Sequence, residues 1–208
     1  MAWNVAQTKA KLMAAAVAEF AERGLAGTRI EHIAQRAGVN KERIYNYFGS
    51  KERLFALVLS DELARIAAAV PMLGPNGNDI GEYAGCCFDY HSEHPELVRL
   101  LHWEALELGG AGQVPDEGTR AGEYGEKVAA FSAAQQAGHV VGDIDARDLL
   151  FAVMAMAAWW SAVPQVARMI TGADDGAPGE RARRRASVVA VAGHLAGQGR
   201  GGHAPQPA

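Results

Sequence analysis

Residues Thr28–Phe48 read TRIEHIAQRAGVNKERIYNYF, and the fold turns on this stretch. Ile30, Ile33, Ala34 and Ala37 fall at i, i+3, i+4 and i+7, the apolar stripe of a helix. Thr28 followed three residues later by Glu31 reads as a capping box, in which the hydroxyl bonds the Glu31 amide and the carboxylate reaches back. Gly38 ends that helix, Val39 fills the corner, and Asn40 is placed to cap a short helix over Lys41–Tyr47. Two short helices joined this tightly have helix–turn–helix proportions. Ile30, Ile33, Ala34, Ala37, Val39, Ile44 and Phe48 then point inward, leaving Lys41, Glu42, Arg43, Asn46 and Tyr47 outward. An α-helix fits the major groove of a duplex, where Arg and Lys pair with guanine edges and Asn with adenine.

The flanks are helical too. Leu12, Ala16 and Phe20 recur every four residues until Gly24 stops the helix, and Gly49-Ser50 restarts the chain as a long fourth helix from Lys51 to about Ala69. Pro71–Asn78 is rich in Pro, Gly and Asn and is the strongest break. Beyond it, helices are expected from Asp79 to before Pro95, from Pro95 to about Leu108, over Asp116–Ala137, from Asp145 to about Pro164, and from Glu180 to about Gly197. Gly109–Pro115, Gly138–Gly142 and Thr171–Gly179 read as loops, and no strand alternation persists. The expectation is an all-α chain of about nine helices. An N-terminal head (1–55) is joined by the fourth helix to a larger bundle (56–197), and a Gly/Pro-rich tail (198–208) is expected to be disordered.

Composition narrows the class. A chain of 208 residues that is 49% hydrophobic and 21% charged can bury a sizeable core. Its two cysteines, Cys86 and Cys87, are adjacent and cannot frame a disulfide scaffold. No secretory leader is visible, and the most apolar run, Leu149–Trp160, is too short to span a bilayer. These features point to a cytoplasmic protein with no membrane partner. The net charge of −4 is uneven, for residues 1–55 hold nine basic and five acidic residues and four of the five lysines. A basic head on an acidic body suits a polyanion met by the head alone.

Five ordered blocks carry a resemblance: Phe20-Ala-Glu-Arg-Gly24, Gly27-Thr28, Ile33-Ala-Gln-Arg-Ala-Gly-Val39, Ile44-Tyr-Asn-Tyr-Phe48 and Ser50-Lys-Glu-Arg-Leu54. Over residues 10–58 the chain resembles the DNA-binding head of TetR-type transcriptional regulators. The resemblance implies phosphate contacts at Thr28, Arg29, Tyr47 and Lys51, base-reading at Lys41 and Arg43, and groove or backbone contacts at Tyr45 and Asn46. Glu42 departs from expectation, since a carboxylate repels phosphate unless a cytosine amine or a neighbouring Arg takes it up. It also implies a homodimer on a near-palindromic DNA duplex and an unknown small-molecule effector. The effector would bind among the helices of the body, for which Phe88, His91, Trp103, Tyr124, Phe131 and Trp159 are the candidate lining. The last two long helices are apolar around most of their circumference, so Val153, Met154, Ala157, Trp160, Val188, Val191, Ala192 and Leu195 are the candidate dimer face. A two-fold would set two recognition helices about one helical turn (~34–36 Å) apart.

Other readings are weaker. His91, Glu93, His94 and His102 have no Cys-rich partner pattern, so no metal is expected and no cofactor motif is present. No nucleophile–base spacing or phosphate loop suggests an enzyme. Arg181, Arg183, Arg184 and Arg185 could form a second DNA contact but read better as a solvated face. The alternatives are a ligand-independent or chromosome-organising DNA-binding protein and a helical protein-interaction module.

Overall fold

The computed structural model describes residues 5–70, 79–108, 114, 116–174 and 176–197. The Pro71–Asn78 break, most of the Gly109–Pro115 loop and the tail from Gln198 lie outside the described residues. The fold is all-helical, with ten helices and no strand among the described residues. In chain order they are α1 (Val5–Gly27), α2 (Ile30–Ala37), α3 (Glu42–Phe48), α4 (Lys51–Ala69), α5 (Ile80–Glu93), α6 (Pro95–Leu108), α7 (Glu117–Gln136), α8 (Ala146–Ala162), α9 (Pro164–Thr171) and α10 (Glu180–Leu195).

Several ends follow the expected chemistry. Asp79 Oδ1 accepts from the Glu82 amide at 2.8 Å to open α5, and Pro95 starts α6. Asp145 Oδ1 accepts from the Arg147 amide at 2.8 Å to open α8. Two expectations are corrected. The capping box does not form, because Arg29 rather than Thr28 occupies the N-cap of α2; the Thr28 hydroxyl donates to the Glu19 carbonyl at 3.1 Å. The eighth helix stops at Ala162, and Pro164, which lacks an amide hydrogen, begins a further helix bent by 87° from it. No single helix among the described residues is long and apolar enough to cross a membrane.

The chain divides into two compact units. The first takes the residues up to Arg65 together with His94–Glu117, so α6 packs against α1. Its core is Leu12, Ala16, Phe20, Ile33, Ile44, Leu54, Val58 and Leu100, with Phe20 edge-on to Phe55 at 5.2 Å between ring centres. The second takes Ile66–Glu93 and the chain from Gly118. There α5 packs against both α8 and α10, around Ala84, Phe88, Phe131, Leu149, Val153, Ala157, Val188 and Ala192.

Candidate nucleic-acid interface

The turn between α2 and α3 is closed by backbone alone. Gly38 adopts a left-handed conformation (φ 67°, ψ 35°), its amide and that of Val39 return to the Gln35 and Ala34 carbonyls, and α2 stops. Asn40 Oδ1 accepts from the Glu42 amide at 3.4 Å, but Lys41 rather than Asn40 occupies the N-cap of α3, and its side chain makes no capping bond. Ile30, Ile33, Ala34, Ile44 and Phe48 are buried, while Ala37 and Val39 are half-buried at the corner.

On the opposite side the candidate contacts come forward. Arg29, Lys41, Glu42, Tyr45 and Asn46 are exposed, Tyr45 to 51%, and Arg43, Tyr47 and Lys51 are half-buried. Thr28 differs, for only 2% of it is exposed and its hydroxyl is engaged with Glu19. Lys41, Arg43 and Lys51 are each oriented by a neighbour. The Lys41 ammonium donates to Glu31 Oε1 at 3.2 Å, and the hydrogen bond from the residue's own amide, helped by that from Lys41, holds the Glu31 carboxyl below its usual range. Arg43 Nη1 donates to the Tyr47 hydroxyl at 2.9 Å, and the Lys9 ammonium lies 5.5 Å from the centre of the Tyr47 ring. Lys51 donates to the Thr28 carbonyl at 3.1 Å, tying the start of α4 to the start of α2.

Sequence reading missed the anion at the centre of this unit. Glu19 is buried on α1, with Arg23 Nε at 3.4 Å, Arg36 Nη1 at 3.5 Å and His32 Nδ1 at 3.9 Å from its carboxylate. The i,i+4 spacing to Arg23 was a visible signal, but the approach of Arg36 and His32 from α2 depends on the tertiary fold. Also missed was the grip of Arg99, Trp103 and Glu107 on the end of α1.

The candidate effector lining is dispersed. In the second unit Phe88, His91 and Phe131 are buried and Tyr124 is half-buried beneath the Lys127 ammonium, 5.4 Å from the ring centre. Tyr83 meets Phe131 edge-on at 5.9 Å, and burial raises the pKa of its phenol and pushes the Cys87 thiol up to about 11. Burial lowers the His91 pKa to about 4, and its Nδ1 has no hydrogen-bond partner among the described residues. Trp103 belongs instead to the first unit, where its indole N–H points at the Ala21 carbonyl, and Trp159 is 58% exposed. His94 pairs with Glu96 at 3.2 Å and His102 Nδ1 bonds the Val98 carbonyl, so these histidines face separate surroundings.

The candidate dimer face also splits. Val153, Ala157, Val188 and Ala192 are buried in the chain's own core, and Trp160 is stacked by Arg184 at 5.1 Å. Exposed instead are Phe151, Trp159, Val191 and Leu195, with Met154 half-buried. The arginine run is not a solvated face. Arg185 bonds Asp89 at 2.6 Å and Glu82 at 2.9 Å, and Arg181 bonds Glu93 at 2.8 Å, which stitches α10 to α5. Arg184, 1% exposed, holds Glu180 at 2.8 Å, and Arg183, the most exposed of the four, grips the same carboxylate at 2.6 and 2.8 Å.

Comparison with known proteins agrees with this architecture. Residues 12–58 match the family of bacterial regulatory proteins, tetR family, and residues 79–193 match the tetracyclin repressor-like C-terminal domain. The HTH-type transcriptional repressor SCO4008 of Streptomyces coelicolor is 45% identical over 168 residues, covering 81% of this chain and 85% of the relative. The HTH-type transcriptional regulator RutR of Escherichia coli is 30% identical over 175 residues, covering 81% of each. The crystal structure of SCO4942 from Streptomyces coelicolor superposes with a TM-score of 0.75 at 33% identity, covering 90% of this chain and 97% of that one. With both halves of the chain matched, and the helix–turn–helix built as its residues require, this protein belongs to the TetR family of DNA-binding transcriptional regulators.

Proposed function

We propose that the chain is a homodimeric repressor that reads a near-palindromic operator through α3 and leaves it when a small, largely apolar effector binds. The observation that carries the reading is the α2–turn–α3 unit, whose outward side gathers Arg29, Lys41, Arg43, Tyr45, Asn46 and Tyr47 on a buried apolar base. Arg43 is assigned to a guanine edge, with Lys41 beside it, and Arg29, Tyr47 and Lys51 to phosphates. With the Thr28 hydroxyl engaged, Arg29 takes the phosphate role at the start of α2. The repressor sense is supported by the relative SCO4008, which is named as a repressor.

The dimer face is assigned to Phe151, Met154, Trp159, Val191 and Leu195, large apolar groups left open on α8 and α10. The effector acts by population shift, preferring a conformer whose heads are out of register for DNA, with α4 carrying the change. A hundredfold loss of affinity needs a preference of about 2.7 kcal/mol for that conformer. Selection of duplexes from a random pool, followed by fluorescence anisotropy, tests the reading. A two-fold symmetric consensus, bound by a dimer and released by a small apolar compound, is the expected result. Many sites of similar affinity with no release by any bound compound would overturn the effector half.

A further inference from the structure

The end of α1 is closed by side chains from a helix outside the helix–turn–helix. Gly24 breaks α1 with φ 69° and ψ −177°, a conformation open to glycine and strained for other residues. The break leaves helix carbonyls unpaired on one side and amides unpaired on the other. Arg99, Trp103 and Glu107, spaced four apart on α6, answer both sides. Arg99 Nε and Trp103 Nε1 donate to the Ala21 carbonyl at 2.8 and 3.3 Å. The Glu107 carboxylate accepts from the Leu25 and Ala26 amides, one oxygen each, at 3.0 Å. The fit is also steric, since a Cβ at Gly24 would meet Glu107 Oε1 and lie 2.7 Å from the Trp103 ring.

Two residues beyond Ala26 the chain reaches Thr28, which is pinned to the Glu19 carbonyl and to Lys51, and Arg29 then opens α2. The torsions at Gly24 therefore set the direction in which α2 and α3 leave α1. We infer that the Arg99–Trp103–Glu107 face of α6 is a latch that fixes the angle of the recognition unit. These three become positioning residues for operator reading, although none of them lies on the α3 surface. The functional half of this inference rests on the proposed reading of DNA; the geometric half does not.

Glu107→Gln tests it in the full-length protein, because the variant keeps the size of the side chain but replaces one accepting oxygen with a donating amide. Hydrogen–deuterium exchange at the Leu25 and Ala26 amides should quicken about tenfold as one of them loses a charge-assisted bond. Affinity for the selected operator should fall about tenfold while affinity for random duplex, set mainly by phosphate charge, stays within about twofold. Trp103→Phe, which keeps the ring packing and removes the N–H, should move both readouts the same way by a smaller factor. Unchanged exchange would overturn the geometry. Faster exchange with an unchanged ratio of operator to random binding would reduce the grip to a structural contact and overturn the positioning role. Wild-type protein that enriches no duplex would instead defeat the DNA reading, a separate outcome from a variant indistinguishable from wild type.

Discussion

Arg43 and Lys51 carry the same charge but hold different places, so their removal should read differently. Arg43→Ala should cost about 1–3 kcal/mol of operator affinity and relax base preference at one position of each half-site. Lys51→Ala should weaken operator and random duplex alike and reduce the salt slope by about one. Anisotropy titrations on both duplexes at several salt concentrations check the pair, and equal losses for the two variants would contradict the assignment. His91 makes a prediction in pH. Burial lowers its pKa from 6.5 to about 4, so below pH 6.5 the unfolded chain binds a proton there that the folded chain refuses. Its contribution is full above pH 6.5, is lost as pH falls toward 4, and amounts to about 3 kcal/mol at most. His91→Leu should flatten that part of the urea-stability profile between pH 7 and 4.5. Lys41, Glu42 and Asn46 were legible as outward from the helical period, whereas Arg43 and Tyr47, read the same way, are half-buried, and Tyr45, 51% exposed, was singled out by the resemblance alone. The place of Thr28 was not legible, since the N-cap of α2 falls one residue later, at Arg29, and the Thr28 hydroxyl donates to a carbonyl nine residues back on another helix.

Glycines in α5 and α7 look alike in the sequence and differ in what surrounds them. A Cβ at Gly81 would lie 2.8 Å from the Val189 carbonyl of α10, whereas Gly122 on α7 has nothing within 4 Å. Gly81→Ala should therefore destabilise by about 1–3 kcal/mol through the displaced helix, while Gly122→Ala should stabilise by about 0.5–1 kcal/mol through helix propensity alone. Urea denaturation of the two variants checks the opposite signs. Element boundaries marked by Asp79, Pro95 and Asp145 could be read directly, because a cap or a proline acts within a few residues. The stop near Pro164 was legible too, but the short helix α9 that Pro164 opens was not, since eight residues between a proline and a glycine leave little periodicity to read. The packing of α6 against α1 was hidden for a different reason. Arg99, Trp103 and Glu107 announce a face at four-residue spacing, but their partners lie about 80 residues earlier.

For the whole molecule, the sequence carried the all-helical class and the recognition unit but sorted the apolar helices poorly. A helix apolar all round reads as interface or core alike, and Val153, Ala157, Val188 and Ala192 belong to the core of this chain. The exposed remainder makes the prediction: Phe151→Glu with Trp159→Glu should give a monomer by sedimentation at micromolar concentration and weaken operator binding, with the helical content kept. A dimer retained in that double variant would place the two-fold elsewhere. The arginines of α10 bear on how such a molecule meets its duplex. Every one of Arg181, Arg183, Arg184 and Arg185 has a carboxylate within ion-pair distance, so the densest basic run outside the head is neutralised within its own unit. A polyanion drifting past finds little to grasp there and is held only where the head leaves its cations outward. Encounters are thereby filtered by orientation before any base is read, and raising the ionic strength should erode that filter along with the rate of capture.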